Sequence, residues 1–169
     1  LEPKKPGDKG LIASVDLQSL WIDFGTDENA YRNSLLLTRD APDAELMRSA
    51  LGLERDPATH SLITPDSSVG RGREQVSQSL LAGGTKIREV TGPVKQMVCE
   101  SCQIRTLVGE GGARLYNVLE HGIFQAQRNT SVIDIFHPAQ GRIRLTFKFE
   151  DFEQPRSVWW SSRLNGNSY

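Results

Sequence analysis

From Thr85 onward the chain is cut into short segments in which apolar and polar residues alternate, and this pattern confines it to a strand-rich fold. Candidate strands cover residues 86–90, 95–98, 103–108, 114–119, 123–128, 131–137, 142–150 and 157–161. Gly, Pro and Asn clusters separate them, at Thr91-Gly92-Pro93, Gly109 to Gly112, Asn129-Thr130 and Pro138 to Gly141. The clearest strand is 142–149. Ile143, Leu145, Phe147 and Phe149 fall on one side, with Arg142, Arg144, Thr146 and Lys148 on the other. Such a strand reads as half-buried and antiparallel, its basic side in water.

The N-terminal half is less regular. Residues 1–10 mix charges with two prolines and two glycines, as a linker does, and residues 11–169 read as a single globular domain. Residues 11–24 alternate with a change of phase near Gln18-Ser19, and residues 31–39 fit a strand or a short helix equally well. A helix is expected after Asp40, with Asp40 as cap, Pro42 and Asp43 in its first turn, and Leu46, Ala50 and Leu53 on its apolar face. Residues 54–73 read as a long surface loop, and residues 74–82 as a second, weaker helix ended by Gly83-Gly84. No internal repeat is visible. The expected fold class is therefore α+β: mainly an antiparallel sheet or sandwich in the C-terminal half, with one or two helices inserted near residues 40–83.

At 169 residues the chain can bury a core without disulfides or metal. Its net charge is −1, but 12 acidic against 7 basic residues lie in 1–66, and 9 against 13 in 67–169. That asymmetry could steer a charged partner but falls well short of the basic footprint of a nucleic-acid domain. The expected partner is a protein, on the absence of a motif, the linker-like start and the Trp159-Trp160 pair. No apolar run is long enough to cross a bilayer, although the linker-like start is compatible with a preceding anchor or domain. The first residue is Leu1, and the two cysteines tilt the localisation toward an extracytoplasmic fragment.

Three chemical features stand out. Cys99 and Cys102, at C-x-x-C spacing, suit either a short disulfide or one half of a zinc site completed by His121 and His137, although the ligand spacing is not that of a common finger. Gly70-Arg71-Gly72-Arg73 before the expected helix resembles an anion-binding turn but lacks the Lys-Ser or Lys-Thr of a phosphate loop, so a surface loop is the plainer reading. Trp159 and Trp160, with the basic row Arg142, Arg144 and Lys148, form the expected interaction surface. A hydrolytic set would need His121 or His137 to converge with Asp134, and no nucleophile elbow supports it.

The expected function is a non-catalytic interaction or assembly domain of a larger protein, with no cofactor. The alternatives are a zinc-stabilised binding module, with nucleic acid as a conceivable ligand, and an enzyme of unstated reaction.

Overall fold

The computed structural model describes residues 27–150. It overturns the antiparallel expectation: the strands are mostly parallel and wind into a β-solenoid. Each turn visits three sheets in one order. The first sheet holds β1 (Leu62–Ile63), β4 (Leu80–Ala82), β7 (Val98–Glu100), β9 (Ala113–Tyr116) and β11 (Thr130–His137). The second holds β2 (Ser68–Arg71), β5 (Lys86–Thr91), β8 (Gln103–Gly109) and β10 (Leu119–Ala126). The third is short, pairing β3 (Val76–Ser77) with β6 (Val94–Lys95), and Gly111 bridges to Lys95 on the next turn. A final strand, β12 (Gly141–Lys148), folds back antiparallel on β11 as the expected hairpin.

The register shows why the repeat escapes a reading by eye. Leu62 sits beside Leu80 and Leu80 beside Val98, steps of 18 residues, but Val98 sits beside Arg114. On the second sheet Lys86 faces Gln103, which faces Leu119. The turns thus vary in length between 16 and 18 residues, and equivalent positions share shape more than identity. Gly83-Gly84 joins two sheets and does not end a helix: residues 73–75 form one 3-10 turn, and β3 and β4 occupy the rest of the expected second helix.

Inward side chains form columns along the axis. Leu81, Cys99, Leu115 and Val132 stack on the first sheet, Ile87 and Ile104 on the second with Val90, Leu107 and Phe124 beyond them, and Val76 with Val94 on the third. These residues make one continuous core. The corners need a backbone that ordinary strands do not supply. His60, Gln78, Gln96 and Asn129 all take positive φ of 49–56°, and Gly112 at the equivalent place has φ 73°. Gly83, Ser101 and Asn117 form a second such column. Left-handed backbone costs about 1 kcal/mol or more for a non-glycine residue, so the stacking of successive turns is what holds Gln78 and Gln96 there.

Buried hydroxyls stitch one turn to the next. Ser61 Oγ accepts the Ser79 amide at 3.2 Å, and Ser79 Oγ accepts the Met97 amide at 3.0 Å. Ser67 Oγ accepts the Thr85 amide at 3.0 Å, and Thr85 Oγ1 accepts the Cys102 amide at 3.1 Å while donating to Ala82 O at 2.8 Å. Each hydroxyl thereby satisfies a corner amide that no ladder reaches.

Two helices lie at the N-terminal side. α1 (Asp27–Leu36) settles the ambiguous segment as helix, and its Tyr31 and Leu35 cover the outward row Leu62, Leu80 and Val98 together with Leu37 and Phe149. Tyr31 stacks on Phe149 at 4.7 Å and donates its hydroxyl to Gln96 O at 2.9 Å; burial, opposed by the charge of Arg128, raises its pKa to about 12. α2 (Pro42–Leu51) is the expected helix, with Pro42 in its first turn and a left-handed Gly52 at its end. Its cap and its buried face differ from expectation. Ala41, not Asp40, is the capping position, and the helix buries Ala44 and Arg48 while Leu46 and Leu51 face solvent. Arg48 decides that orientation by donating to Leu37 O at 2.7 Å and Arg39 O at 2.9 Å, which ties α2 to the end of α1.

Candidate functional site

The solenoid leaves the outer face of the second sheet open among the described residues, and that face carries several exposed cations. In β5 and β8 the same pattern recurs: Lys86-Ile87-Arg88-Glu89-Val90 lies beside Gln103-Ile104-Arg105-Thr106-Leu107. Ile87, Val90, Ile104 and Leu107 point inward, whereas Lys86, Arg88, Gln103 and Arg105 are exposed. Arg88 and Arg105 occupy equivalent places on adjacent strands, and Arg71 joins them from β2 in a recess of about 230 Å³ that also includes Glu89. A larger trough of about 680 Å³ runs over the face past Ser68, Lys86, Arg88, Gln103, Arg105 and His121. Among the described residues, Lys86, Arg71, Arg88 and Arg105 make no ion pair.

The glycines flanking Arg71 have a structural reason. A Cβ on Gly70 would strike the Arg88 carbonyl, and one on Gly72 the Val90 carbonyl, so both are set by the close approach of the next turn. Gly70-Arg71-Gly72-Arg73 is therefore half strand and half corner; only a single 3-10 turn follows, so it has no α-helix N-terminus to hold a phosphate.

The basic row predicted on β12 behaves differently. Arg144 turns over the C-terminal end of the solenoid and grips Asp134 with Nε at 2.7 Å from Oδ1 and Nη2 at 2.8 Å from Oδ2. Nη1 reaches Glu120 Oε2 at 2.9 Å, Nη2 reaches Leu119 O at 3.1 Å, and the guanidinium lies 5.4 Å from the Phe124 ring centre. Arg142 also donates to Leu119 O, and Asp134 Oδ2 accepts the Leu119 amide at 2.9 Å. Lys148 pairs with Glu150 at 3.4 Å. Burial works to raise the Asp134 carboxyl, but the Arg144 and Leu119 hydrogen bonds and the two guanidinium charges outweigh it and bring its pKa below the usual value. Glu120 is lowered as well, first by the Arg144 hydrogen bond and then by the Gly122 amide. The cluster closes the end of β10 and leaves Arg144 and Asp134 committed to each other.

Cys99 and Cys102 both point into the core as free thiols. Cys99 is pushed well above the usual thiol range by burial, with Cys102 and Glu100 adding to it; burial likewise takes Cys102 to about 12 against the Val118 and Glu100 backbone hydrogen bonds. His121 is exposed on β10, and His137 stands at the β11–β12 turn, where Nδ1 accepts the Ala139 and Gln140 amides at 3.2 Å each. The four candidate zinc ligands are thus not brought together, and among the described residues no cluster of three or more His, Cys, Asp or Glu side chains has metal-binding geometry. Asp134 likewise meets arginine instead of either histidine. Trp159 and Trp160 lie outside the described residues.

A second groove, of about 780 Å³, separates α1 from the corner column His60, Gln78 and Gln96. Among the described residues no helix is long and apolar enough to cross a membrane. The residues that sequence reasoning missed are Lys86, Arg88 and Arg105; the recurrence of Ile-Arg at 17-residue spacing is the signal that finds them. Comparison with protein families, with curated proteins and with solved structures finds no match to this chain.

Proposed function

We propose that this chain is a non-catalytic interaction module of a larger protein that docks an acidic partner on the outer face of its second sheet. The supporting observation is the pair Arg88 and Arg105, exposed side by side near Lys86 with Arg71 beside them; none of the four makes an ion pair among the described residues, and Glu89 is the one acid of their recess. Charges placed on a rigid ladder keep their spacing, so little side-chain and backbone ordering is needed on binding. Complementary charge chiefly supplies encounter rate and specificity.

The test is retention on a carboxylate-bearing resin at pH 7.5. A chain of net charge −1 is held there only through a localised basic face. The expected result is salt-sensitive retention that disappears in R88Q/R105Q. Retention unchanged by those substitutions places the docking surface elsewhere.

A further inference from the structure

Resting on the docking face just described, we propose that the recess of Arg71, Arg88 and Arg105 receives a single phosphomonoester, the phosphorylated side chain of the protein partner.

The recess exists because strict alternation fails at one place on each strand. Ile87 and Val90 both point into the core, as do Ile104 and Leu107, so the pairs Arg88-Glu89 and Arg105-Thr106 are left on the outside. The register sets Ile87 beside Ile104 and Glu89 beside Thr106, which puts Arg88 next to Arg105. Arg71 sits beside Glu89 from the other neighbour, β2. Gly70 and Gly72 let the backbone on both sides of Arg71 lie against the Arg88 and Val90 carbonyls, so Arg71 is held to the next turn. Three arginines from three strands thereby line one recess, with Glu89 as its one acid. None of the three makes an ion pair among the described residues, Glu89 included.

At about 230 Å³ the recess falls below the roughly 300–1,000 Å³ of sites that enclose a whole small molecule, and suits one charged group presented by something larger. A phosphomonoester carries about −1.5 to −2 charges at pH 7 and three acceptor oxygens, one for each guanidinium. A carboxylate has two oxygens and a single charge. Three cations against one acid leave an excess that a dianion neutralises, and the planar fork of arginine matches phosphate oxygens in pairs. The recess opens on the larger trough, because Arg88 and Arg105 line both. Ser68, Lys86 and Gln103 in that trough can meet the amides of a chain that carries the phosphate. Glu120 lines it too, which disfavours a ligand that is acidic along its whole length.

Other phosphate carriers fit less well. An internal phosphodiester of nucleic acid has two free oxygens and one charge, and no aromatic lines the recess or the trough for a base to stack on. A bilayer is held by many basic residues together, and beyond the recess arginines the trough adds only Lys86 and His121, against Glu120.

Titration calorimetry at pH 7.5 tests this with a phosphoserine peptide of otherwise neutral sequence, beside its glutamate, serine O-sulfate and unmodified serine counterparts. The phosphoserine peptide should bind at least tenfold tighter than the glutamate and sulfate peptides, and the unmodified one not measurably. Its affinity should fall tenfold or more in R88Q/R105Q and in R71Q, and rise about threefold in E89Q, which removes a repelling charge. Arg71 and Glu89 line the recess and not the trough, so these two variants report where the phosphate sits. An unchanged unfolding midpoint confirms that each variant folds. Equal binding of the glutamate or sulfate peptide overturns the phosphate assignment, and phosphoserine binding that ignores R71Q and E89Q overturns the recess. Tighter binding of phosphatidate vesicles or of 5′-phosphorylated oligothymidylate overturns the choice of a protein partner. No binding of any peptide, on a protein that the carboxylate resin retains, overturns this inference alone; without that retention the docking face falls with it.

Discussion

The arginines of the C-terminal hairpin and those of the second sheet are the same residue type put to opposite uses. Arg144 is enclosed by Asp134, Glu120 and the Leu119 carbonyl, so its charge is spent inside the molecule. Arg88 and Arg105 stand on an open ladder and face solvent. A guanidinium that closes a structure should matter to stability and be silent in binding. One left without a counter-charge should do the reverse.

The largest expected effect lies on the closed side. Arg144→Met leaves the Asp134 carboxylate buried with its amide partner but without its bidentate one, and should cost about 3–5 kcal/mol in urea unfolding. A loss below 1 kcal/mol would mean that the cluster is decoration. Acid should find the same weakness. Asp134 and Glu120 have folded-state values below the unfolded ones of about 3.9 and 4.3, so their stabilisation is present above those values and is lost as pH falls through the depressed ones. The thermal midpoint of the wild type should therefore drop on acidification below about pH 4, and that of Asp134→Asn should respond less steeply. Smaller again is the effect of Ser79→Ala, which strips the Met97 amide of its acceptor and should cost about 1–3 kcal/mol. Smallest of all, R88Q/R105Q should shift stability by no more than about 0.5 kcal/mol while removing resin retention. A large stability loss there would erase the distinction between the two sets.

Much of the strand content was legible, because inward-outward alternation is a local property. Residues 86–90, 103–108, 131–137 and 142–150 coincide closely with β5, β8, β11 and β12. The direction of pairing was not legible, since alternation looks alike in parallel and antiparallel ladders. Turn residues such as Gly92 and Gly109 to Gly112 suggest hairpins, whereas here they carry the chain from one sheet to the next. The repeat was hidden for a related reason. A column needs only compatible shape, so Leu81, Cys99, Leu115 and Val132 do one job with three residue types, and the spacing between them drifts.

The sites divide along the same line. Cys99 and Cys102 satisfy a motif, but they are successive occupants of core positions, and their raised pKa values predict thiols that resist alkylation at pH 8 until the chain is unfolded. On β12 the alternation was read correctly, and Arg142, Thr146 and Lys148 are exposed as expected. Arg144 departs from it because Asp134, its partner across the hairpin, is buried and draws the guanidinium in. Local sequence cannot convey which side of a terminal strand meets an open end. The exposed Ile-Arg recurrence on β5 and β8 was the one site feature within reach.

The corner columns bear on how such a chain changes over generations. Because His60, Gln78, Gln96, Gly112 and Asn129 return the chain to the same bend, each turn begins from the same starting line whatever its predecessor contained. Duplication or loss of a whole turn leaves every neighbour with a fitting surface, as in other quasi-one-dimensional repeat architectures. A single-residue insertion within a strand, by contrast, turns one inward column to the outside. The natural unit of variation in this molecule is therefore the turn, and a face built by repetition lengthens in whole steps as turns are added.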